Sequence, residues 1–107
     1  MGKFVHVVNF WLKQGINDTD RAAFVKGVSS LGTIQDLATF HVGVPAPTDR
    51  PVIDRSYDYC LVCTFENKEQ HDAYQIDPIH DDFRDHCAKY WEKVLIYDSI
   101  EITPPLS

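Results

Sequence analysis

Residues 5–12 alternate with a period of two, placing His6, Val8, Phe10 and Leu12 on one side and Val5, Val7, Asn9 and Trp11 on the other. That spacing predicts a strand, and both of its faces are mainly apolar. Gly15 breaks the run and Asn17-Asp18-Thr19 offers N-cap chemistry. Phe24, Val25, Val28 and Leu31 then recur at helical spacing before Gly32, which predicts an amphipathic helix. β-branched and aromatic residues return over residues 37–44 as a second strand, ended by Pro45 and Pro47. A polar loop rich in proline and aspartate fills residues 45–56, a length that marks a rim or an assembly contact. Residues 57–66 predict a third strand, with Tyr57, Tyr59, Leu61, Cys63 and Phe65 opposed to Asp58, Cys60, Val62 and Thr64.

Asn67 with Gln70 has the form of a capping box and opens a short helix running through Ala73, Tyr74 and Ile76. Pro78 must end it, because the ring clashes with the preceding turn and carries no N–H. Asp77 as N-cap and Pro78 at the first helical position start another helix, on which His80, Phe83, Cys87, Tyr90 and Trp91 share one side. Residues 94–102 predict a last strand, apolar on both sides through Val94, Ile96 and Ile100 and through Leu95 and Tyr97; Pro104-Pro105 makes a tail. The order β-α-β-β-α-α-β suits an α+β, ferredoxin-like domain, a four-stranded antiparallel sheet with helices on one face. Helices cover one side of such a sheet, yet three strands are apolar on both. A second copy of the chain is the simplest cover, so a homodimer is expected.

Composition narrows the picture. The 107 residues, 44% hydrophobic, suffice for one domain spanning residues 1–107, with its core at about 3–102, that buries roughly 60–70% of its unfolded surface. A net charge of −6 with no lysine or arginine cluster argues against nucleic acid as a partner. No apolar run approaches the ~20 residues of a membrane span, and Met1-Gly2-Lys3-Phe4-Val5 lacks the regions of a signal peptide. Three cysteines, an odd number, read as free thiols in a reducing compartment, so a cytoplasmic location is expected.

The candidate chemistry gathers at the junction of the two late helices. Two helices meeting at Asp77-Pro78 can aim Tyr74 and His80 at one spot, where a histidine titrating near neutrality suits proton transfer and a tyrosine hydroxyl can orient it or stabilise an oxyanion. The plainer reading is that His80 only ties helix to strand. His6 and Tyr59 lie on strand faces among large apolar neighbours, which with Phe83 predicts a small-molecule pocket; the plainer reading is a pair of satisfied core side chains. Cys60-Leu61-Val62-Cys63 has knuckle spacing, but residues three apart in a strand point to opposite faces, so buried thiols are expected. His41, His71 and His86 are scattered along the chain, and no metal or cofactor is expected. Asp77, Asp81, Asp82 and Asp85 read as a solvated patch favoured by a helix N-terminus.

The string Tyr57-Asp58-Tyr59 … Thr64-Phe65-Glu66 … Tyr74 … Pro78-Ile79-His80 … Phe83 … Tyr90-Trp91-Glu92-Lys93-Val94-Leu95-Ile96-Tyr97-Asp98 resembles the stress-responsive A/B barrel, or Dabb, family of dimeric α/β barrels, over residues from about 3 to 102. The resemblance implies a two-fold dimer whose sheets meet face to face as a barrel. It also implies an acid–base role for Tyr74 and His80, which match the catalytic tyrosine and histidine of a cofactor-free polyketide cyclase of the family in a Tyr-x-x-x-Pro-x-His frame. His6 matches a histidine lining that pocket. Tyr59 and Val28 stand where the cyclase has a histidine and a tyrosine, so a shared substrate is not implied. Because the frame is general to the fold, a non-catalytic stress or ligand-binding dimer is the alternative. Related barrel monooxygenases use asparagine, tryptophan and histidine, a match here by residue type only through Asn9 and Trp11.

Overall fold

A computed structural model describes residues 2–102. The elements are β1 (Phe4–Leu12), α1 (Asp18–Ser30), β2 (Thr39–Gly43), β3 (Tyr59–Phe65), α2 (Lys68–Gln75), α3 (Pro78–Cys87) and β4 (Trp91–Ile100), with short 3-10 turns at Leu31–Thr33 and Ala88–Tyr90. The strands form one antiparallel sheet in the order β2-β3-β1-β4. The architecture is the expected α+β, ferredoxin-like one, with all three helices on a single face.

The β1 pattern explains the layering. Phe4, His6, Val8, Phe10 and Leu12 are buried, while the residues between them are half-buried. Phe24, Val28 and Leu31 from the α1 side, Leu61, Cys63 and Phe65 from β3, and Tyr74, Phe83 and Cys87 from α2 and α3 complete the core. At Gly27 a Cβ would run into the Cys87 sulfur, so glycine is what lets α1 lie close to α3.

Helix ends follow their caps. The Asn67 carboxamide accepts from Gln70 N–H (2.9 Å), and the Gln70 side chain accepts from Glu66 N–H (3.0 Å), one residue earlier than the usual box. Asp77 accepts from Ile79 N–H at 2.8 Å, with Pro78 opening α3. Between the two helices Ile76 is a C-cap, 78% exposed, and not the last inward position of α2.

Three other expectations shift at their edges. Tyr57 and Asp58 precede β3, and there the Asp58 carboxylate accepts from Leu12 N–H at 2.7 Å while the Asp58 N–H donates to the Phe10 carbonyl at 2.8 Å. β2 is confined to Thr39–Gly43. Trp91 belongs to β4 and not to the α3 stripe, because the 3-10 turn ending at Tyr90 reverses the chain first. The Pro104-Pro105 tail lies outside the described residues.

The sheet's other face carries Val5, Val7, Asn9 and Trp11, flanked in register by Thr64, Val62 and Cys60 on β3 and by Ser99, Tyr97, Leu95 and Lys93 on β4. Leu95 is 37% and Tyr97 60% exposed. No described helix packs on this face.

Candidate functional site

β4 is an edge strand that the helices only partly roof, and the gap beneath them is a cavity of about 310 Å³. Val8, Phe10, Leu61, Phe83, Trp91, Val94 and Ile96 supply apolar walls; His6, Tyr74, Gln75, His80 and Arg84 supply the polar groups. Thus four expected site residues, His6, Tyr74, His80 and Phe83, do converge. Tyr59 does not join them. Its ring packs on Phe24 (centroids 5.3 Å apart) and its hydroxyl accepts from the Arg21 guanidinium at 3.4 Å, under α1 and away from the cavity lining.

Each polar group is set by its element. Tyr74 projects from α2 into the core with 1% exposure, and its ring edge meets His80 (5.1 Å between centroids) and His6 (5.8 Å). The Cys63 thiol donates to the Tyr74 hydroxyl at 3.7 Å. Burial, with Cys63 adding to it, pushes the phenol pKa far above its ordinary value. Burial likewise pushes the Cys63 thiol up to about 11, against the pull of its bond to Tyr74.

His80 is half-buried, and its Nδ1 has no hydrogen-bond partner among the described residues. Burial holds its pKa below the ordinary imidazole range; Arg84 and His6 add to this, and Asp81 and Asp77 oppose it. The ring lines the cavity, and a neutral imidazole with an unpaired nitrogen is equipped to accept a proton. Gln75 Oε1, also in the lining, is likewise buried and unpaired.

His6 is held by a partner that sequence spacing did not mark. Register places His6 opposite Asp98, and Nδ1 meets the carboxylate at 2.5 Å. Burial lowers the His6 pKa, while the hydrogen bond and charge of Asp98 pull it up and nearby His71 lowers it further. His71, one of the histidines scattered along the chain, lies beside His6 with ring centroids 5.0 Å apart. Asp98, Arg84 and His71 all escaped the pattern reading. Knowledge of the β1–β4 register would have exposed Asp98, because in an antiparallel pair opposed residues share a face.

A ferredoxin-like sheet with a partly apolar cavity between its edge strand and its helices defines the class of this protein. The chain belongs to the Stress Responsive A/B Barrel Domain (Dabb) family, whose sequence profile matches residues 4–101. A Dabb family protein with a ferredoxin-like fold from Mesorhizobium loti is 25% identical and superposes with a TM-score of 0.76, over 96% of this chain and 100% of its own. A dimeric ferredoxin-like protein of unknown function from Thermobifida fusca is 17% identical (TM-score 0.75; 94% of this chain, 92% of its own). The hydroxynitrile lyase from Passiflora edulis, 16% identical, shares the fold with a TM-score of 0.76 over 97% of this chain and 98% of its own. Among curated proteins no relative matches this chain by sequence.

Proposed function

We propose that this chain is a single-domain, cytoplasmic homodimer that binds a small, largely apolar, ring-bearing molecule in the cavity and performs cofactor-independent acid–base chemistry on it. His80 is the base, and Tyr74 orients it through their ring contact. The observation that carries the reading is the unpaired, buried Nδ1 of His80, a residue that lines a cavity of about 310 Å³. An unsatisfied buried polar atom costs about 1–3 kcal/mol, and a ligand hydroxyl that donates to it relieves that cost. The volume falls at the lower end of ligand pockets, which run from roughly 300 to 1,000 Å³.

Dimerisation is supported by the unroofed sheet face and by the dimeric Thermobifida fusca relative. The cytoplasmic location is supported by the three free cysteines. No described helix is long and apolar enough to cross a membrane.

A second reading, a non-catalytic ligand-binding dimer, is favoured by one feature: the Tyr74 hydroxyl is sealed in the core against Cys63. Deuterium exchange at the methyl group of aryl methyl ketones separates the two. The catalytic reading expects exchange above the solvent rate, lost in His80→Gln. Ketone-induced NMR shifts at His80 and Phe83 without exchange would select the second reading, and neither shifts nor exchange would remove both.

A further inference from the structure

We infer that His6, His71 and Asp98 form a binding site for a divalent transition-metal ion of the zinc class. His6 comes from β1, Asp98 from its register partner on β4, and His71 from α2 above them. One ligand atom from each lies within 4.8 Å of those of the other two. A four-coordinate zinc with bonds of about 2.0–2.1 Å wants its ligand atoms roughly 3.3 Å apart, so small side-chain movements close the triangle.

His71 carries a second, independent sign. It is 8% exposed, and its Nε2 finds no hydrogen-bond partner among the described residues. Its Nδ1 meets the Asp72 carboxylate at 3.1 Å. With the proton on Nδ1, held by that carboxylate, Nε2 keeps the lone pair. Metal-binding histidines are commonly fixed in this way, one ring nitrogen held by a carboxylate and the other left for the metal.

The donor set selects the ion. Two imidazoles and one carboxylate suit zinc, cobalt, nickel or copper, whereas magnesium and calcium want oxygen ligands throughout. The His6 Nδ1–Asp98 contact at 2.5 Å is a proton-bridged pair, and a metal ion displaces that proton on binding. The Asp98 side chain is 39% exposed, which opens a route for the ion and for a water as fourth ligand. Packing alone accounts for the His71 ring, stacked on Phe4 at 4.1 Å, but it leaves Nε2 unpaired.

His6 lines the cavity that holds Tyr74 and His80 and is common to both sites, but His71 does not line it, so a change at His71 tests the metal site without altering the cavity lining. The test titrates the metal-stripped chain with zinc by calorimetry and with cobalt by visible absorption. The expected result is one equivalent per chain, with the d–d bands of a low-coordinate cobalt site. His71→Phe keeps a ring against Phe4, and circular dichroism checks its fold. Losing an outer-shell partner alone weakens metal binding roughly 10–100-fold, so this loss of a ligand is expected to cost at least as much. His86→Ala, on the exposed side of α3, is expected to bind like wild type. No saturable uptake by wild type, unchanged binding by a folded His71→Phe, or equal weakening in both variants would each overturn the site.

Discussion

Tyr74 and His80 meet at a ring edge, and their surroundings give them different tasks. The phenol is sealed in the core with, among the described residues, only the Cys63 thiol as a partner, and thiols are weak donors. Tyr74→Phe is therefore expected to cost about 1 kcal/mol or less of stability, and Tyr74→Ala about 3–5 kcal/mol through the cavity it leaves. Urea midpoints measure both. His6 and His80 carry the pH dependence. Burial lowers both pKa values in the fold below the 6.5 of a free imidazole. Below that value the unfolded chain takes up protons that the folded chain refuses. Their contribution to stability is thus complete above about pH 6.5 and falls with pH through the window down to the folded values. The limiting slope is about 1.4 kcal/mol per pH unit for each histidine. Urea denaturation between about pH 7.5 and 5 is expected to show a declining midpoint, with a shallower decline in His80→Gln.

At the scale of elements, the Asp77-Pro78 break decides where the site residues go. It ends α2 just after Tyr74 and restarts the chain so that His80 enters the cavity from α3. Asp77 holds that start by accepting from Ile79 N–H. Asp77→Ala is expected to lose about 1 kcal/mol, within the usual range for N-caps, and to speed amide exchange through the first turn of α3. Hydrogen exchange at Ile79 and His80 reads the effect. Unchanged protection there would mean that packing of Phe83 and Cys87 alone holds the helix. The caps at Asn17, Asn67 and Asp77 were all legible, because each is a local hydrogen bond between residues two or three apart. The start of β4 was not legible: Trp91 continues the apolar spacing of α3, and only the intervening 3-10 turn shows that the chain has already reversed.

For the whole molecule, the question is what covers the open sheet. Val5, Val7, Val62, Leu95 and Tyr97 lie together on it in register, and a second copy is the proposed cover. Light scattering at low micromolar concentration is expected to give twice the 12.3 kDa of one chain. Leu95→Glu, which sets a charge on an edge strand within that face, is expected to shift the mass to that of one chain while circular dichroism stays unchanged. A wild-type protein of one-chain mass would remove the dimer, and with it the barrel.

The order of elements, the buried face of β1 and the tyrosine–histidine junction were all written in local spacing, since a period of two or 3.6 and a proline are properties of neighbouring residues. What the sequence could not decide is which distant residues meet. The approach of His71 to His6, the pairing of His6 with Asp98 across 92 residues, and the departure of Tyr59 to the α1 side all depend on strand register and helix docking. Those are set by the packing of the entire core, and no stretch of chain carries them alone.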